Sequence, residues 1–186
     1  MNLKNYHIQQ DSSDGCSLAS FIMLDMLLTK KHHFPDMQYH YRGLLASSKN
    51  EQLFYWLGRV NRDKYRRGIP SASFYKSVKE FIKVFDRQYT VKLVSMRRKS
   101  STRFKCEMEE YANDPKKQVI FNYDGHYSPL GEFADDIITI YDVDWVERYD
   151  QEFYYLNGDG EYYVHCYSFY KKLKRQKRNY LLFSAK

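Results

Sequence analysis

The chain has 186 residues and a net charge of +7, with 43% apolar and 28% charged residues, 19 tyrosines and three cysteines. That balance excludes a disordered chain and suits one soluble globular domain with a sizeable interior, in which many rings carry a hydroxyl that needs a partner. An odd number of cysteines (Cys16, Cys106, Cys166) with no CxxC pair excludes a disulfide framework and a structural zinc site, so no metal and no cofactor is expected.

Residues 1–14 read as an extended entry segment anchored by Ile8, with no apolar signal region. The expected location is therefore the cytoplasm, although export by a route without such a signal would leave no trace in the sequence. Asp14-Gly15 is a turn pair, and the mostly apolar run that follows to Leu28 contains no Gly or Pro. This predicts a loop entering a buried helix over about Cys16–Lys30, too short to span a membrane. Cys16 falls in its first turn, where unpaired N–H groups favour a thiolate, so it is a candidate nucleophile as well as a candidate core thiol.

His32-His33 precede Phe34-Pro35, where the helix must stop; adjacent histidines do not share a helix face as metal ligands would. Residues 37–65 read as mostly helical. Gly68-Ile69-Pro70 punctuates the chain, and Ser71 or Ser73 is a candidate cap for a helix with Phe74, Val78, Phe81, Ile82 and Phe85 at helical spacing. Tyr89–Met96 alternates as a strand, Arg97–Ser101 reads as a basic loop, and Thr102 is a candidate cap for a short helix ending near Pro115. Cys106 on that helix is expected to be core or half-buried.

The later part reads as strands over 118–123, 126–133, 137–143, 162–170 and 180–184, with Cys166 inside one of them. Asn157-Gly158-Asp159-Gly160 is a hairpin turn lacking the further oxygen ligands of a calcium loop. The basic run Lys171–Arg178 reads as a charged hairpin between strands; nucleic acid is the alternative partner for it, but no nucleic-acid motif accompanies it. Helices first and antiparallel strands after predict an α+β fold.

Gln10 lies six residues before Cys16, close enough to offer an amide N–H to an oxyanion. Together with Cys16 at a helix start, Gly125-His126-Tyr127-Ser128-Pro129-Leu130-Gly131 and Ile140-Tyr141-Asp142-Val143, it gives a pattern that resembles the phytochelatin synthase branch of the papain-like cysteine enzymes. The resemblance covers the first helix and the His-to-Asp segment, and the middle only through Gly68-Ile69-Pro70. It implies a papain-like fold: one domain with a helical lobe (1–115) carrying the nucleophile helix, packed on an antiparallel β lobe (116–186). It implies Cys16 as nucleophile, His126 as base, Asp142 as the group orienting His126 and Gln10 as oxyanion donor. Asp144, on the same strand face as Asp142, is the rival for the orienting role; Asp124 and His165 are weaker ones.

The implied reaction passes the γ-glutamyl-cysteinyl group of glutathione, through a thioester, to a second thiol peptide or to water. A small thiol peptide or another peptide is thus the expected substrate, with Ser17, Gly125 and Trp145 at the substrate site. Four features depart from the family pattern. Ser17 replaces the glycine after the nucleophile, Trp145 stands where the family carries a carboxylate-binding arginine, the Pro-Pro that follows that arginine is missing, and so is the cysteine-rich C-terminal region. A double-glycine peptidase of the transporter-associated type shares the Gln, Cys, His and Asp order and is the runner-up; Ser128-Pro129-Leu130-Gly131 separates the two. A protein-directed protease or deamidase uses the same chemistry, and a basic nucleic-acid- or membrane-surface binder is the non-enzyme alternative.

Overall fold

The computed structural model describes Tyr6, Tyr41, residues 16–30, 70–123, 125–141 and 161–186, and the backbone of 155–157. Gln10, Asp142, Asp144 and Trp145 lie outside the described residues, as do Asp124, His32, His33 and the expected helices of 37–65.

The first helix, α1 (Cys16–Thr29), is buried from Cys16 through Leu27. Its apolar residues run all round its circumference, so it must be covered on several sides. One charged residue breaks the pattern: Asp25 is fully buried in the middle of it. A lone carboxylate there needs compensation, and four donors from three distant residues converge on it. Arg87 binds both oxygens, at 3.0 Å each; Tyr89 donates its hydroxyl at 2.6 Å, and Tyr41 donates a second. Both phenols are held well above their ordinary range, by burial first and then by the adjacent Asp25 charge.

Helix α2 (Ser71–Val84) buries Phe74, Val78 and Phe81 on one stripe, and Phe81 meets Phe21 of α1 edge-on at 4.9 Å. Neither Ser71 nor Ser73 caps it: Pro70, in extended conformation, holds the cap position and makes no side-chain cap hydrogen bond. Strand β1 (Tyr89–Ser95) follows, then α3 (Ser101–Asn113). Its cap is Ser100 rather than Thr102, with the Ser100 hydroxyl accepting from Arg103 N at 3.2 Å. Cys106 is exposed, not core: only Phe104 and Met108 of α3 are buried.

Strands β2 (Lys117–Tyr123), β3 (His126–Ala134), β4 (Ile137–Tyr141), β5 (Tyr155–Asn157) and β6 (Glu161–His165) come next. Asn157 pairs with Glu161, as the expected hairpin requires. The expected strand over 162–170 stops at His165. Cys166 begins helix α4 (Cys166–Arg175), and the basic run, read from sequence as a hairpin, is largely its outer face and the turn after it. Cys166, Phe169, Lys172 and Leu173 are its buried face, a spacing of three and four that period two cannot produce. Strand β7 (Asn179–Ala185) closes the chain.

The strands form one antiparallel sheet in the order β1-β7-β2-β3-β4-β6-β5. Alternation divides its side chains between two cores. Ile120, Tyr127, Leu181 and Phe183 pack with α1 and α2; Val119, Phe121, Leu130 and Tyr180 pack with α3 and α4. Helices therefore cover both faces of the sheet. Among the described residues, those up to 115 contribute α1, α2, α3 and the strand β1, and those after it contribute six strands and α4, all the strands in one sheet. No helix among the described residues is long and apolar enough to cross a membrane.

Candidate active site

Cys16 is the first residue of α1 and 8% exposed; Ser17 beside it is buried. The N–H groups of this first turn have no partner within the helix, so an anion forming at the sulfur meets donors that are already in place. His126 is the first residue of β3, placed by a two-residue turn after Tyr123, with which it pairs. Gly125 in that turn has φ 80°, a backbone conformation that a side chain would strain.

One bond ties the two starts together. Ser20, one turn along α1 from Cys16, donates its hydroxyl to the carbonyl of Tyr127, the residue after His126, at 2.8 Å. Among the described residues β4 joins β3 only from Leu130 onward, so the first residues of β3 have no described strand on that edge. Ser20 supplies a donor on that edge.

The two faces of the strand then part. Tyr127 is fully buried on the α1 side, its ring 4.6 Å from that of Phe74. Its phenol is pushed up by burial, while hydrogen bonds with Ser71 and Asn122 pull the other way; the charge of a Cys16 thiolate acts on it too. His126, 2% exposed, leans the other way, with its ring edge-on to Tyr123 at 6.0 Å and Tyr123 in turn against Phe169 of α4. The pair Tyr123–His126 is the last rung before the turn. The imidazole thus lies at the end of the sheet, on the face opposite the one that α1 packs against.

Of the residues expected at the site, the described ones are Cys16, Ser17, Gly125 and His126, and they fall on two elements packed together. His165 is set apart. It precedes α4 and pairs with Ile137, at the end of β3–β4 remote from His126, where it lines a cavity of about 180 Å³ with Asp136 and Cys166. There the Cys166 thiol is pushed up to about 11, by burial first and by Asp136 second, against the opposing charge of Lys105. Cys166 is therefore protonated at neutral pH, which argues against it as a rival nucleophile.

Sequence reasoning missed Ser20, Asn122 and Asp25. Ser20 and Asp25 left a signal, since each is a polar residue in an otherwise apolar helix and needs a partner. Asn122 left none. It is 1% exposed, donates to Ser71 Oγ at 3.1 Å, and its Oδ1 has no hydrogen-bond partner among the described residues.

The string that separates the two candidate families does structural work here. A Cβ on Gly131 would lie 2.7 Å from Tyr141 Cε2, so the ring of β4 needs a glycine beneath it. Ser128 is fully buried with its hydroxyl 3.2 Å from that of Tyr123.

No family model and no curated protein matches the chain. Among solved structures, the chain is similar to a double glycine motif protease from an AMS/PCAT transporter in complex with the leader peptide. The identity is 12%, the TM-score 0.49, and the match covers 97% of this chain and 91% of that one.

Proposed function

We propose that the protein is a papain-like cysteine hydrolase or acyltransferase acting on an amide bond, with Cys16 as nucleophile and His126 as base. The observation that carries this reading is the Ser20–Tyr127 hydrogen bond, which fixes the start of the thiol-bearing helix against the start of the histidine-bearing strand. The sequence pattern from Gly125 to Gly131 supports it.

In the proposed reaction His126 takes the proton of Cys16, and the sulfur attacks the amide carbonyl carbon. The oxyanion faces the backbone N–H of Cys16 and the side chain of Gln10. The C–N bond breaks as His126 returns the proton to the leaving amine, leaving a thioester on Cys16. Water, deprotonated by His126, attacks the thioester to release a carboxylic acid; an amine acceptor gives transfer instead. Asp142 holds the imidazole in the tautomer that accepts the thiol proton.

Because Ser128 and Gly131 have packing reasons to be where they are, the string that favours glutathione does not by itself select that substrate. The reading therefore stands at amide acyl transfer to water or amine, with a peptide as substrate. Incubation with glutathione and, separately, with a peptide pool tests it by mass spectrometry of the intact protein. A thioester on Cys16 with either identifies the substrate class. Slow background adducts equally distributed over the three cysteines contradict the reading.

A further inference from the structure

Positive charge in this chain is segregated. Two stretches, 87–106 and 162–186, contain 14 of the 30 Lys and Arg residues and none of the 23 Asp and Glu, leaving 16 cations against 23 acids elsewhere. The fold then brings the two stretches together. β1 pairs with β7 along its whole length, and the rung Ser95–Asn179 is the last, so Arg97-Arg98 leave the sheet beside the arriving Lys177-Arg178. Two further bonds fasten the junction: Tyr170 and Lys174 of α4 both donate to the carbonyl of Lys99, at 2.9 and 2.7 Å.

The result is a rim of Arg97, Arg98, Arg175 and Lys177, all exposed, with Arg178 partly buried behind them. None of the four exposed residues has an ion-pair partner among the described residues. Glu107, the carboxylate at this junction, is neutralised by Lys99 and Arg103. The Nε of Arg178 is buried without a hydrogen-bond acceptor among the described residues, and the charge of Arg178 acts on the Tyr127 phenol. This rim is also the one that carries the histidine: β7 begins, β2 ends and β3 begins at the same end of the sheet.

We propose that the Arg97–Arg98–Arg175–Lys177–Arg178 rim docks an acidic polypeptide segment and delivers it to the neighbouring Cys16–His126 site. The polypeptide identity of the occupant rests on the amide-cleaving function proposed above; the charge of the occupant does not. Four exposed cations set side by side, with no ion-pair partner among the described residues, face mutual repulsion that a run of carboxylates relieves, and arginine forks suit carboxylates. Single-stranded nucleic acid would need exposed rings for its bases to stack on. Of the aromatic residues at this rim, Tyr123 and Tyr180 are buried and Tyr170 is half-buried with its hydroxyl committed to the Lys99 carbonyl, and the exposed Tyr167 sits at the far end of α4. Val84 and Tyr167 are the large exposed apolar residues among those described, so the rim offers no apolar wedge for a lipid surface either.

Fluorescence anisotropy with labelled oligoglutamate and oligouridylate of equal length tests the proposal on the Cys16→Ala protein, which binds without turnover. The expected result is saturable oligoglutamate binding that weakens with salt. It should fall about tenfold or more in an Arg97→Glu/Arg98→Glu/Lys177→Glu variant, and the same variant should gain affinity for oligolysine. A circular-dichroism spectrum and urea midpoint matching those of the Cys16→Ala protein show the variant to be folded. Preference for oligouridylate, or oligoglutamate binding that ignores the three reversals, overturns the proposal. The two readings fail separately. Cleavage of a neutral peptide with no oligoglutamate binding removes the docking surface and spares the enzyme; binding with no cleavage of any peptide by the wild type removes the enzyme and leaves an acidic-segment binder.

Discussion

Replacing Arg87 by methionine isolates the interaction that holds α1, and with it Cys16, in place. Asp25 has a side chain with no solvent exposure and the Arg87 side chain only 12%, so water cannot take over for the lost cation. Breaking a buried ion pair from one side costs about 3–5 kcal/mol, because the surviving charge is left uncompensated. Tyr41 and Tyr89 still donate to Asp25 in the variant, which places the expected loss near the lower end, about 3 kcal/mol. In a chain of this length that is a fall in Tm of roughly 6–12 °C. Urea denaturation followed by tryptophan fluorescence and circular dichroism measures it. The decisive comparison is Asp25→Asn/Arg87→Met, which removes both charges and should be more stable than Arg87→Met alone. A loss under about 1 kcal/mol, the range of exposed pairs, or strict additivity of the two substitutions would refute the reasoning.

Ser20→Ala leaves the Tyr127 carbonyl without its donor, at a cost of about 1–3 kcal/mol in denaturation, and should lower turnover by up to about a hundredfold through displacement of Cys16 from His126; unchanged progress curves would remove Ser20 from the account. Gly131→Ala forces a methyl against Tyr141 and Thr139 and should cost about 1–3 kcal/mol by the same assay. The Glu107 carboxyl is held below its ordinary range: burial works against this, but hydrogen bonds from Lys99, Tyr180 and Arg103 prevail. Its folded-state pKa being depressed, the stability it adds is present above the unfolded-state value and is lost as pH falls through the folded one. Glu107→Gln should therefore lower the urea midpoint at neutral pH and lose that effect in strong acid; a constant difference across pH would contradict it.

The elements nearest the candidate site were legible because their local signals agree with their tertiary roles. α1 is announced by an apolar run after a turn pair, and β2 by the run Val119–Phe121 ahead of Asp124-Gly125. α4 is hidden in the sequence because the strand pattern set by Tyr162–Val164 continues through Tyr167 and Phe169; the period changes at Cys166 with no Gly or Pro to mark it. The charge segregation was visible as two basic runs, but their meeting depends on β1 pairing with β7, a contact between the middle and the end of the chain. Asn122 reads as an ordinary strand residue, and only its burial opposite Tyr127 gives it a place beside the site.

The most direct test of the central claim uses the exposed Cys106 as an internal control against the largely buried Cys16. A peptide carrying an electrophilic carbonyl mimic, followed by peptide mapping, should modify Cys16 ahead of Cys106, and His126→Ala should abolish that preference while leaving Cys106 labelling unchanged. Modification that follows exposure alone, with Cys106 first and no effect of His126, would contradict a thiol–imidazole pair at these positions.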